Sequence, residues 1–191
     1  MKLHKDNKTT ICNSTIDKIL LYSDDESISK YIVPNSILEI GNYAFLNSNI
    51  KLLEMNDDII RIGVDAFYSS AYLETIVFNE KLEKIESGAF GKCNKLQECY
   101  LPDNLIYIGL MCFKGCEELK FVVIPSSVIY IGELAFNYGN IYCEVETKPE
   151  GWDENFATEN AKVYWKGEWE YDENGIPYPL TKDNSNAETI S

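Results

Sequence analysis

Residues 124–136 read IPSSVIYIGELAF, and the apolar and small residues of this phrase return upstream at a nearly constant interval. With each Phe aligned, the segments are SILEIGNYAF (36–45), DIIRIGVDAF (58–67), KLEKIESGAF (81–90), NLIYIGLMCF (104–113) and SVIYIGELAF (127–136). Phe45, Phe67, Phe90, Phe113 and Phe136 are separated by 22, 23, 23 and 23 positions, and Ile40, Ile62, Ile85, Ile108 and Ile131 keep the same intervals. A small residue recurs before each Phe, at Ala44, Ala66, Ala89, Cys112 and Ala135. After each Phe, a short polar turn leads to another apolar position: Ile50, Leu73, Leu96, Leu119 and Ile141. The single 22-residue interval comes from a turn one residue shorter between Phe45 and Ile50, a place where a loop tolerates an indel.

A unit of this length cannot bury its own apolar face. Each Ile, Phe and Leu must therefore stack on its counterpart in the next coil, which predicts a solenoid with one continuous core. Strands such as LQECYLP and LKFVVIP, one per coil, are expected in parallel, about 4.8 Å apart, as one sheet along one face. Inward positions would be Leu96, Cys99 and Leu101, then Leu119, Val122 and Ile124. Pro34, Pro102 and Pro125 share the phase just after the strand, where a missing N–H ends pairing without breaking a ladder. The IGxxAF segment lies opposite, with a helical turn or short 3₁₀ piece, and Gly41, Gly63, Gly109 and Gly132 favour a tight bend there. Glu86 stands in the third copy's glycine slot.

With IPSSVIYIGELAF and LPDNLIYIGLMCFKGCEELKFVVIP, the chain resembles the BspA-like leucine-rich repeat family. That family's consensus runs Ile-Pro, Val, Ile-Gly, Ala-Phe, Cys or Ser, Leu and Val, and the likeness covers residues 31–143. KILLYSDDESISKYIVP resembles the leading unit of such proteins, and IYCEVETKPEGWDENFATENAKVYW their closing tail. The resemblance implies a curved, β-rich solenoid that binds through its sheet face, often as an adhesin or host-contact module, and carries over no catalytic residues. The expected organisation is an N-terminal capping unit (1–30), five repeats (31–143), an aromatic C-terminal cap (144–180) and a disordered polar tail (181–191).

A solenoid needs capped ends. Trp152, Phe156, Val163, Tyr164 and Trp165 are expected to cover the last coil at Ile131, Phe136 and Ile141; the sharper alternative is a carbohydrate platform using Trp152, Trp165 and Trp169. Farther on, KGEWEYDENGIPYPL suggests a hairpin-like excursion. Cys93 and Cys116 share a phase with Ser48, Ser70 and Gly139, and Cys99 and Cys112 fall on core phases, which favours buried free thiols over a disulfide framework. No CxxC pair occurs and His4 is the only histidine, so neither a zinc site nor a Ser-His or Cys-His catalytic scheme is expected. No cofactor motif is present, and the chain is read as a non-enzyme.

The net charge is -14, and Arg61 is the only arginine, so free nucleic acid is excluded as a partner, while a basic protein is not. One alternative is therefore an acidic decoy or inhibitor of a basic, nucleic-acid-handling protein. Apolar runs are too short to span a bilayer, and MKLHKDNKTT lacks the apolar core of a leader. As written the chain reads as cytoplasmic, or as surface-bound or secreted if a leader was trimmed.

Outward strand positions form two rows: Ile32, Glu54, Val77, Tyr100 and Val123, beside Leu52, Thr75, Glu98 and Phe121. A patch of Val77, Tyr100, Phe121 and Val123 edged by Glu54 and Glu98 has the aromatic centre and charged rim of a protein-binding site. The alternative is that the tail folds back over it. A second stripe, Arg61, Lys84, Tyr107 and Tyr130, reads as ordinary solvated surface.

Overall fold

The computed structural model describes residues 3–5, 10–13, 19–23, 29–35 and 37–180; the tail expected to be disordered (181–191) and most of the N-terminal unit lie outside these residues. Strands β1 (Leu3–Lys5), β2 (Thr10–Asn13) and β3 (Ile19–Ser23) form an antiparallel meander at the N-terminal end. The chain then repeats a coil with one longer and one two-residue strand. The pairs are β4 (Lys30–Ile32) with β5 (Glu39–Ile40), β6 (Leu52–Glu54) with β7 (Arg61–Ile62), and β8 (Thr75–Val77) with β9 (Lys84–Ile85). Next come β10 (Glu98–Tyr100) with β11 (Tyr107–Ile108), and β12 (Phe121–Ile124) with β13 (Tyr130–Ile131). Strands β14 (Asn140–Cys143) and β15 (Lys162–Tyr164) and an antiparallel hairpin, β16 (Trp169–Tyr171) and β17 (Pro177–Pro179), complete the chain.

The fold is a parallel-strand solenoid, and its core is a set of side-chain columns. Phe45, Phe67, Phe90, Phe113 and Phe136 stack with ring centroids 4.8, 5.2, 5.3 and 5.2 Å apart and are buried throughout. Tyr31 closes the column edge-on at 4.9 Å from Phe45. The isoleucines pair residue for residue, Ile40 with Ile62, Ile62 with Ile85, Ile85 with Ile108 and Ile108 with Ile131. At about 1.5–3 kcal/mol for each fully buried side chain, these columns dominate the stabilisation of the array.

Two expectations about the backbone are corrected. First, no helix or 3₁₀ piece occurs among the described residues. The segment before and after each Phe is a run of separate turns, because Tyr43, Asp65, Gly88, Met111 and Leu134 take positive φ, as do Asn47, Ser69, Lys92 and Gly115 two residues beyond the first four Phe, and Gly139 three beyond the last. Each left-handed residue interrupts the right-handed path a helix needs. Alternate N–H groups then point to different partners: Tyr43, Phe45 and Asn47 donate to Val64, Ala66 and Tyr68 of the next coil, while Ala44, Leu46 and Ser48 donate back to Gly41, Tyr43 and Phe45. The Ile-Gly bends thus add their own ladder, an eight-stranded sheet ordered β1-β2-β3-β5-β7-β9-β11-β13.

Second, the long-strand face is not one sheet but two, β4-β6-β8 and β10-β12-β14-β15. Between β8 and β10 the ladder opens into a cleft of about 270 Å³ lined by Glu74, Thr75, Gln97 and Glu98. Two carboxylates facing one cleft repel, which opposes its closure.

The glycine column also has a different cause from the one expected. Gly63, Gly109 and Gly132 are not in the left-handed region. A Cβ on Gly109 would lie 2.3 Å from the Ser87 backbone nitrogen, and one on Gly132 would lie 2.5 Å from that of Leu110. The requirement is close approach of successive coils, not a bend. Similarly, the Ser/Cys phase is a column of donors: Ser70 Oγ donates to the Phe45 carbonyl at 2.7 Å, Cys93 Sγ to that of Phe67 and Cys116 Sγ to that of Phe90, both at 3.2 Å. A small side chain with one hydrogen to give satisfies this place.

The segment expected to cap the array runs as one further coil. Trp152 bridges to Ile131 and Ala157 to Phe136, Asp153 N–H donates to the Ile131 carbonyl, and β15 pairs in parallel with β14. Trp152 is 1% exposed and donates Nε1–H to the Val128 carbonyl at 3.0 Å. Its ring is therefore not available as a carbohydrate platform, which corrects that alternative; Trp165 and Trp169 are half-buried.

Candidate binding face

The outward rows of the long-strand face register as the repeat phases demand. Ile32 pairs with Glu54 and Glu54 with Val77, while across the cleft Tyr100 pairs with Val123, Val123 with Tyr142 and Tyr142 with Tyr164. In the adjoining row Leu52 pairs with Thr75, and Glu98 with Phe121. Strand alternation sends these side chains away from the main core.

Their exposure then divides. Val77 is 50% exposed and Tyr100 46%, whereas Phe121 and Val123 are each only 5% exposed. Phe121 and Val123, expected in the accessible patch, are covered. They form a second small core with Tyr142, against which Tyr164 and Trp169 pack. The covering element is the β16–β17 hairpin, the fold-back that the sequence left open as an alternative. Trp169 lies 5.2 Å from the Tyr142 ring and donates Nε1–H to the Cys143 carbonyl at 3.1 Å. At its tip, Asp172 accepts N–H bonds from Asn174 (2.8 Å) and Ile176 (2.9 Å), which hold its carboxyl below the usual carboxylate range, the bond from Ile176 first.

Tyr100 is the hinge between the open and covered halves. Its ring meets Phe121 edge-on at 5.2 Å and its hydroxyl donates to the Gly175 carbonyl at 3.4 Å. Burial, then the charges of Glu98 and Asp172, raise its pKa, so the phenol remains a neutral donor. Around it, Glu54 pairs with Lys30 at 2.6 Å and Glu98 with Lys120 at 3.7 Å. The face left accessible thus holds Ile32, Glu54, Val77, Glu98 and Tyr100, extended by exposed Tyr171 and Ile176 of the hairpin. Those last two are residues that repeat analysis missed, because they follow the end of the period. The only advance signal was the aromatic alternation in EWEYDENGIPYPL.

On the Ile-Gly ladder, Tyr107 and Tyr130 stack at 4.7 Å, and Arg61 bridges Glu39 and Glu86. Among the described residues no cluster of His, Cys, Asp or Glu could hold a metal ion, and no helix is long and apolar enough to cross a membrane.

The sequence model of the BspA type leucine-rich repeat region matches residues 14–142 in 6 copies. The chain belongs to the BspA type leucine-rich repeat family. The match begins ahead of the five copies visible by alignment on Phe, and the register of the N-terminal unit agrees: Leu20 of β3 pairs with Ile40, at the head of the isoleucine column. No curated protein matches the chain in sequence. Among solved structures it is similar to the pneumococcal vaccine antigen PcpA, at 23% identity and a TM-score of 0.59 over 78% of this chain and 46% of that one. It is also similar to a leucine-rich repeat protein from Bacteroides ovatus, at 22% identity and a TM-score of 0.59 over 80% of this chain and 40% of that one. A third, from Bacteroides capillosus, shares 23% identity with a TM-score of 0.50 over 55% of this chain and 83% of that one. The chain spans less than half the length of the first two. These likenesses are of fold.

Proposed function

We propose that this BspA type repeat array is a non-enzymatic protein-binding module that grips its partner through the accessible half of the long-strand face. Glu54, Val77, Glu98 and Tyr100 form the contact, with Tyr171 and Ile176 of the hairpin at its border. The observation that carries this reading is the exposure of Val77 and Tyr100 at the same phase of successive coils, one on each side of the β8–β10 cleft, with paired carboxylates beside them. An aromatic centre with a charged rim is what a protein interface uses, and a preformed scaffold loses little entropy on binding. Phe121 and Val123 contribute beneath the surface by setting the ring of Tyr100. Family membership and the fold of a vaccine antigen point to an adhesin-like, host-contact role for such a surface.

The test is affinity capture from host-cell extracts with the intact chain and with a Val77→Ser/Tyr100→Ser double variant, followed by mass spectrometry. A partner retained by the native chain and lost by the variant, at unchanged circular dichroism, supports the face. Equal recovery by both proteins removes it.

A further inference from the structure

A second concave feature lies at the turns that follow each Phe, away from the long-strand face. It is a groove of about 390 Å³, within the size range of small-ligand sites. Tyr68, Lys92, Asn94, Lys114, Asn137 and Tyr138 line it, contributed by four successive coils. Glu117 is the one acidic residue in its wall, so the groove carries a positive balance on a chain whose net charge is -14.

The lining is arranged for a polar, flat-faced ligand. Lys92 lies over the Tyr68 ring, with Nζ 5.3 Å from the centroid, which steers the ammonium without neutralising it. Neither Lys92 nor Lys114 makes an ion pair among the described residues. Asn137 accepts the Gly115 N–H through Oδ1 at 2.8 Å, which leaves its two Nδ2 hydrogens for another acceptor. Asn94, in the orientation that satisfies its neighbours, gives its NH₂ to the Lys92 and Gly115 carbonyls, at 2.9 and 3.0 Å, leaving Oδ1 as an acceptor. Half-buried Tyr138 supplies a ring with a negative face.

We propose that this groove binds an acidic saccharide, a pyranose that bears a carboxylate such as a hexuronic acid. The sugar's C–H face rests on Tyr138, its hydroxyls meet Asn94 and Asn137, and its carboxylate lies between Lys92 and Lys114. A peptide fits less well, because the backbone here is already spent: Lys92 N–H donates to the Lys114 carbonyl, Ser69 N–H to that of Gly91 and Gly115 N–H to Asn137. No strand edge is left in the groove to pair with a second main chain.

The test is NMR titration of the full chain with trigalacturonate, with neutral galactotriose, and with penta-glutamate. Binding of trigalacturonate at least ten-fold tighter than the neutral sugar is expected, with shifts centred on the Lys114, Gly115 and Asn137 amides, weakening as salt is raised. A Lys92→Asn/Lys114→Gln variant, with Asn chosen because position 92 has positive φ, should lose the preference for the charged sugar and keep its melting temperature. Tyr138→Ala should weaken both sugars. Absent shifts at those amides at millimolar sugar, or penta-glutamate binding as tightly as trigalacturonate, would overturn the proposal. If the lysine variant melts early, the salt dependence and the peptide control on the native chain decide the matter alone.

Discussion

Cys116 shows how one side chain can serve two purposes. Its thiol is fully buried, and that burial pushes its pKa up to about 12, as it does for Cys143. Unfolded, the group ionises near pH 8.5. A pKa raised on folding means the contribution is complete below about pH 8.5 and is lost as pH rises toward the folded value. The protein should therefore lose stability between about pH 9 and pH 11, with Cys116 accounting for up to about 1.4 kcal/mol per pH unit. Denaturant midpoints measured across that range should fall less steeply for Cys116→Ala than for the native chain, and parallel slopes would contradict the assignment. The same burial should make the five described thiols, Cys93, Cys99, Cys112, Cys116 and Cys143, unreactive until the chain unfolds. Asn56 shows a further single-residue device at the phase where other coils place Pro. Its Nδ2 donates to the Pro34 and Ile37 carbonyls at 2.6 and 2.9 Å, and its Oδ1 accepts the Asp58 N–H at 2.7 Å. Asn79, one coil on, donates to the Ile59 carbonyl but leaves Oδ1 buried without a partner.

Among the elements, the β16–β17 hairpin decides how much of the sheet face is open. It is fastened through Trp169 to the Tyr142 ring and the Cys143 carbonyl and through Tyr100 to Gly175, while Leu180 N–H closes its own base on the Glu168 carbonyl. Trp169→Ala should cost about 2 kcal/mol, less than for a fully buried aromatic because the ring is half-exposed. Hydrogen exchange should then quicken across Phe121–Ile124 while the Phe67–Phe113 turns stay protected. Uniform loss of protection would mean that the hairpin is integral to the array and not a cover laid upon it. The repeat phases alone were enough to place Val77, Tyr100 and Val123 on one outward row and Phe121 on the row beside it. They could not reveal that Phe121 and Val123 are buried, because burial there comes from an aperiodic segment around Trp169, 48 and 46 positions downstream of them, where phase carries no information.

For the whole molecule, stability is carried by neighbours along one axis. Each coil touches chiefly the coils before and after it, so a defect in the middle separates two halves. Phe90 stands third in a column of five, between Phe67 at 5.2 Å and Phe113 at 5.3 Å. Phe90→Ala should cost about 3–5 kcal/mol. It should also convert a single unfolding transition into two when followed by probes at each end, such as Tyr43 and Trp152. One sharp transition at lower denaturant would instead show that the Ile-Gly ladder, which runs unbroken past this point, couples the halves by itself. That ladder also explains why the opening between β8 and β10 on the long-strand face is tolerated: the coils remain joined on the other side.

The solenoid, its period, its stacked columns and the direction of each strand side chain were determined by the sequence alone, because a recurring apolar phase has one way to be buried. The turn geometry, the split sheet, the covered half of the outward face and the lysine groove were decided only in three dimensions. Each of those depends on contacts between residues of unlike phase, or on backbone angles that non-glycine residues accept when neighbouring coils supply the hydrogen bonds to hold them there.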